Sequence, residues 1–451
     1  MVVKFFTSIW SNFESSEERK KFSILSVLFG LTIGAYWLLR PLKDGVFLTM
    51  VGTDYQPKAK ILSMFVVIPL VMIYERLVSS FKRHQVLYGL SIFYAIGAAI
   101  FAALILDPAT GMQNTVASPD RYLGWTFYLF VESFGSIMVM LFWSFVADTT
   151  TPDAAKRGYP LIVLGAQFGG IVGPLLGQMV MPEEGGEAAA NGSGIATIIC
   201  VVAMALIPVI VWYFMNNVSK EQMQGFQADE KKAPLEGKPK PGFMEGLKLL
   251  LTRPYLLGIF VVVSFYEIIV TFLDFQFKTL AKGSYTGDAL TGYLFKYAVW
   301  TNAVAFICVI FGAGKIGSKL GLTRTLLMLP ILVGVAVITL NLHPLLNVAF
   351  MIMVFSKGVN YALNQPAKEQ LYIPTTKDSK YRSKAWIDAF GSRFSKGLGS
   401  IVNDSKAALG TELFPLVILV TSFGLIGVWV FAAMFLGKTH TQAIKENRTV
   451  C

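Results

Sequence analysis

The chain has 451 residues, 54% of them hydrophobic, only 15% charged, and a formal net charge of +11. A soluble domain carries roughly a quarter of its residues as charges, so a water-soluble enzyme or nucleic-acid-binding protein is excluded. The apolar runs last about 20 residues, which suits membrane helices and not the short alternating segments of a membrane barrel.

The first 21 residues are polar and of mixed charge, so no cleavable signal precedes the first span. Twelve spans are expected, at about 22–40, 60–80, 86–106, 122–147, 159–181, 194–217, 255–276, 292–313, 323–342, 345–365, 383–407 and 412–436. Lys and Arg gather in alternate loops, which places both termini on the cytosolic side. Two loops break the rule: the first holds Lys43, Lys58 and Lys60, and the seventh-to-eighth holds Lys278 and Lys282. The polar, Lys-, Gly- and Pro-rich stretch 218–253 divides the chain evenly. The expected layout is a six-helix half at 1–217, a cytosolic linker, a second half at 254–437 and a tail at 438–451. Such an all-α, major-facilitator arrangement places a transport site near the midplane between its halves.

Polar side chains at membrane depth carry the functional signal. A charge at the bilayer centre costs about 2.5–3.5 kcal/mol on insertion scales, so each charged residue there is a functional candidate. In the first span Thr32, Tyr36, Arg40 and Lys43 follow helical spacing. Snorkelling to water is the plain alternative, but this end faces the side where cations are disfavoured, which points to an anion. The fourth span carries Glu132 and Ser136 on one face; Phe142 and Trp143 beside them fit plain packing. The fifth has Gln167 as a polar contact, on a glycine-rich helix suited to close packing. The seventh puts Glu267, Asp274 and Lys278 on one face, a candidate for switchable pairing.

The stretch 357–404 is the most polar for its setting. Lys357, Asn360, Asn364 and Lys368 make one stripe; Arg393, Lys396, Ser400 and Asn403 make a second. Lys384 and Asp388 are spaced for a local pair. Arg393 and Lys396 have no acidic partner on their own stripe, and a cross-helix pair with Glu132 or Asp274 is expected.

Other patterns are set aside. Gly312-Ala-Gly314-Lys-Ile-Gly317 follows a membrane helix rather than a strand and reads as a basic turn. Asn191-Gly192-Ser193 is a chance glycosylation match. The three cysteines and three histidines are scattered, and no metal site, cofactor or catalytic arrangement is expected.

At LRPLKD (39–44), VESFGSIMVMLFWSFVAD (131–148), AKRGYPLIVLGAQFGGIVGPLLG (155–177) and QPAKEQLYIPTTKDSKYRSKAWIDAFGSRFSKGLGS (365–400) the chain resembles the nucleotide transporters of plastids and intracellular bacteria, often called ATP/ADP translocases. The resemblance implies exchange of a nucleoside triphosphate for a diphosphate, with ATP and ADP as substrates and phosphate as a candidate companion. It implies no enzyme activity and no nucleic-acid partner. A monomer in a bacterial inner membrane is the expected setting. The family's basic residues fall on Lys43 and Lys396, with Arg40 and Arg393 nearby, as phosphate ligands. Its acidic residues fall on Glu132 and Asp274, which with Glu267 and Asp388 would couple or gate. Tyr36, Gln167, Lys357, Asn360 and Asn364 would line the ribose or base. The sequence departs from the family at Lys396-Gly-Leu-Gly, where Lys-Ser-Gly-Gly is common, and at Gln167, where Asn is common. A proton-coupled facilitator for another organic anion or drug, using Glu132 or Asp274, stays open from the residues alone. So does a receptor that binds nucleotide without moving it.

Overall fold

A computed structural model describes residues 13–182, 191–223, 243–311, 320–376, 384 and 386–451. Most of the expected linker and the Gly312–Gly317 turn lie outside the described residues.

The described chain is helical throughout: α1 Ser16–Met50, α2 Gln56–Ser80, α3 Arg83–Leu106, α4 Tyr122–Asp148, α5 Pro152–Met179, α6 Gly192–Asn217, α7 Phe243–Thr252, α8 Pro254–Ser284, α9 Gly287–Phe311, α10 Leu322–Leu342, α11 Leu346–Val359, α12 Gln365–Leu371, α13 Ser392–Asp404 and α14 Lys406–Lys445. Nine of these are long and apolar enough to cross a membrane, among the described residues. Three further helical stretches, Gly287–Phe311, 346–371 and 386–404, fall where the other expected spans lie. The expected twelve is consistent with that tally.

Local chemistry sets the helix ends. The Ser15 hydroxyl caps α1 by accepting from the Glu18 amide at 3.0 Å, and Glu17 and Glu18 complement the positive end of the dipole. Thr151 caps α5 in the same way, with Pro152 in the first turn. Two helices contain wide turns. Asn360–Asn364 is a π-helical insertion joining α11 to α12, and Trp386–Gly391 is another leading into α13. Such bulges recur at functional sites.

Which side chains face outward reveals the solvent. On α13 the polar Ser395, Ser400 and Asn403 are buried while Phe394, Leu398 and Ile401 are exposed. On α3 the exposed residues include Phe93, Ile96 and Ile100. A helix that hides its polar face and presents its apolar one belongs in lipid.

The described residues pack as two units. One gathers those of Met1–Gly52, Phe65–Lys238 and Ser284–Asn302; the other gathers those of Thr53–Met64, Pro239–Gly283 and Ala303–Cys451. In the first unit α1 and α5 meet through glycines. A methyl group added to Gly30 would lie 2.8 Å from the Gly165 carbonyl oxygen, so the backbones touch directly. The Ser26 hydroxyl donates to the Leu161 carbonyl at 2.7 Å across the same seam. The glycines of the fifth span thus serve packing.

Candidate functional site

In the first unit, α1 and α4 bring a cation to two carboxylates. The Lys43 ammonium donates to Glu132 Oε1 and stands 3.8 Å from Asp44 Oδ1, with the Tyr128 ring 4.3 Å from the nitrogen. Its side chain is 7% exposed and that of Glu132 30% exposed. One lysine thus serves as the buried partner of carboxylates on its own helix and on α4, while an aromatic face supports it from the side. One turn earlier the Arg40 guanidinium lies over the Trp37 ring, 5.1 Å from its centroid. Tyr36 is half-buried against the backbone of Gly135 on α4. Gln167 is half-buried on α5. Phe142 is fully buried and stacks on Phe29, ring centroids 4.2 Å apart, and Trp143 meets Phe29 edge-on. Both are packing residues.

In the second unit the arrangement is reversed. One carboxylate, Asp274 on α8, receives three ammonium groups. Lys60 of α2 and Lys278 of α8 donate to Oδ2 at 2.9 and 2.8 Å, and Lys357 of α11 lies 3.5 Å from Oδ1. All four side chains are largely buried. The Lys278 contact is the local i, i+4 pair that the helix spacing allows.

A second ion pair sits further along the same helix. Lys396 of α13 faces Glu267 of α8 at 3.6 Å, with Lys396 about half exposed. Packing decides this pairing. The Asn403 side-chain amide donates to the Thr271 carbonyl at 3.0 Å, and a methyl on Gly399 would lie 3.0 Å from the Ile268 carbonyl oxygen. These contacts dock α13 on α8 and leave Lys396 beside Glu267. Glu267 is thus a partner of Lys396 that the expected pairing with Glu132 or Asp274 did not name. Arg393, one turn earlier, is half-buried.

The first polar stripe is a buried face. Lys357, Asn360, Asn364 and Lys368 are all less than a tenth exposed. The Asn364 side-chain amide donates to Asn360 Oδ1 at 2.9 Å within the π-helical turn, and Asn364 Oδ1 is buried without a hydrogen-bond partner among the described residues. Lys384 reaches Glu369 at 2.5 Å, a partner the sequence reading did not name. Asp388 lies in the 386–391 turn, and its side chain falls outside the described residues. No group of His, Cys, Asp and Glu able to hold a metal ion occurs among the described residues.

The sequence reading missed Lys60 as a site residue, and used Lys278 only as a member of a stripe. The signal was present: both are exceptions to the loop-charge rule. They are not loop cations. They are buried on a carboxylate, which removes the conflict with the positive-inside bias.

The geometry can be set beside known proteins. A family model described as TLC ATP/ADP transporter matches residues 2–343 and 336–440. The chain belongs to that family. Two of its curated relatives are ADP,ATP carrier protein 1 of Chlamydia muridarum, 25% identical over 481 residues covering 94% of this chain and 89% of that one, and the chloroplastic ADP,ATP carrier protein 2 of Arabidopsis thaliana, 25% identical over 498 residues covering 95% and 76%. Among solved structures, the peptide transporter PepTSo of the POT family superposes with a TM-score of 0.62 at 12% identity, covering 95% of this chain and 99% of that one. The transporter is thus an all-helical, multi-pass membrane protein with a major-facilitator-type fold, and not an enzyme.

Proposed function

We propose that this TLC family transporter exchanges ATP for ADP across its membrane by alternating access, with Arg40, Lys43, Arg393 and Lys396 holding the phosphates. One observation carries the reading: lysines at two of these positions, Lys43 and Lys396, sit within membrane helices and are paired with the carboxylates Glu132 and Glu267. Curated relatives that align with about 95% of the chain bear the name ADP,ATP carrier, which supports the same substrates.

The chemistry follows from ion-pair energetics. Lys43, removed from water, loses hydration that its attraction to a carboxylate only roughly repays, and the half-exposed Lys396 is held by its longer pair only weakly. A polyphosphate offers more negative charge and more acceptor oxygens than one carboxylate. It competes for Lys43 and Lys396 and frees Glu132 and Glu267. With no substrate, the pairs reform, and the empty carrier is held. Exchange without leak then requires that only the loaded carrier crosses easily. Glu132, Asp274, Glu267 and Asp388 are the coupling groups in this scheme. Tyr36, Gln167, Lys357, Asn360 and Asn364 are the candidates for reading ribose and base.

Swapping ATP for ADP moves about one net charge, so exchange would feel about 2.3 kcal/mol per 100 mV of membrane potential. We further infer a bacterial inner membrane, both termini in the cytosol, a monomer, and two halves at 1–217 and 254–437 that alternate around the substrate. Counterflow in proteoliposomes is the test. Labelled ATP should enter only vesicles preloaded with ADP or ATP. Entry into empty vesicles driven by a pH step would replace exchange with proton coupling.

A further inference from the structure

The cluster on Asp274 is not accounted for by the four phosphate ligands proposed above. Three ammonium groups from three helices, α2, α8 and α11, converge on a single carboxylate at 2.9, 2.8 and 3.5 Å. A structural salt bridge at a buried site needs one cation per carboxylate, and every additional buried ammonium adds a desolvation cost. Three cations around one anionic centre, two of them donating to the same oxygen, is instead the surrounding that a phosphoryl group takes up. Lysine also suits such an exchange of partners. Its ammonium is a compact point charge with three rotatable donors and can turn from one oxygen to another without a fixed fork geometry. A further buried polar group stands one turn before Lys60 on α2. Gln56 is 1% exposed, and neither its amide nitrogen nor its oxygen finds a partner among the described residues. At i and i+4 the two side chains share a helix face.

We propose that Lys60, Lys278 and Lys357 form an anion subsite for the substrate's polyphosphate chain, in which the Asp274 carboxylate holds the place of a phosphoryl oxygen until substrate arrives. This rests on the exchange reading above, adds Lys60 and Lys278 to it, and moves Lys357 from the ribose and base group to the phosphates. Asp274 is then an internal competitor of the substrate. Removing a lysine weakens phosphate binding; removing the carboxylate's charge strengthens it. A merely structural cluster would behave otherwise, because both changes would lower stability and neither would move phosphate affinity.

The test uses the purified full-length carrier and base-free tripolyphosphate as probe, with ATP alongside and orthophosphate as a control. The readout is the concentration that gives half-maximal thermal stabilisation. For Lys60→Gln this concentration should rise at least about tenfold for tripolyphosphate and ATP alike. For Asp274→Asn it should fall several-fold while the unliganded melting temperature drops. Lys60→Arg keeps the charge and should stay within a few-fold of the wild type; it stands in should Lys60→Gln fail to fold. A folded Lys60→Gln with unchanged tripolyphosphate affinity overturns the subsite, as does an Asp274→Asn carrier that binds tripolyphosphate more weakly. Orthophosphate that stabilises as well as tripolyphosphate, with the same Lys60 dependence, overturns the assignment to the substrate's chain. A wild type that neither binds ATP nor shows counterflow would sink the exchange reading itself, which is a separate result.

Discussion

The charge clusters of the two units are built from the same side chains in opposite proportion. In one, a single lysine, Lys43, stands between Asp44 and Glu132. In the other, a single aspartate, Asp274, stands among Lys60, Lys278 and Lys357. In each, the lone member holds together groups that would otherwise repel. Removing it should therefore do more harm than removing any of the groups around it, and the harm should scale with how little water can replace the lost partner.

The largest effect is expected at the centre whose partners are all well buried. Asp274→Asn leaves three ammonium groups facing one another around a neutral amide. The loss should lie at the upper end of the roughly 3–5 kcal/mol expected when one partner of a buried pair is removed. It would be measured as a fall in melting temperature of the purified, unliganded carrier. Lys43→Ala should cost less, toward the lower end of the same roughly 3–5 kcal/mol range, because Glu132 is 30% exposed and water can reach it. It should nevertheless abolish ATP/ADP counterflow, since its ammonium is a proposed phosphate ligand. Equal losses of stability for the two would show that burial is not what separates the units.

The smallest effect on stability is expected at Lys396. Its pair with Glu267 is longer, at 3.6 Å, and its side chain is about half exposed. Pairs of that kind contribute roughly 0–1 kcal/mol. Lys396→Ala should therefore leave the melting temperature nearly unchanged while counterflow falls to background. A carrier that keeps both stability and exchange would remove Lys396 from the site.

Much of this was legible in the residues. Runs of about 20 apolar positions give the helices because a bilayer demands that length, and the spans at 122–147 and 323–342 match α4 and α10 within one residue. Lys43 and Glu132 were legible as intramembrane charges, but their contact was not, because 89 residues separate them in sequence. Glu267 was missed as a partner of Lys396 for the same reason: the contacts of Gly399 and Asn403 that place Lys396 beside it are tertiary. The π-helical turns left no periodicity signature. A single wide turn of five or six residues is too short to show a period of its own. Lys60 is the instructive miss. It looked like a loop cation on the wrong side, and the structure shows a buried ligand of a carboxylate 214 residues away.

In the proposed exchange, carboxylates within the membrane helices hold cations that the substrate's phosphates take over. Equilibrium ATP binding to Glu132→Gln, set against the wild type at fixed salt, tests this most directly. Neutralising this carboxylate leaves Lys43 with Asp44 alone and so loosens its hold; tighter ATP binding, by several-fold, is expected in a carrier whose exchange is slowed. Weaker or unchanged ATP binding by a folded Glu132→Gln protein would contradict it.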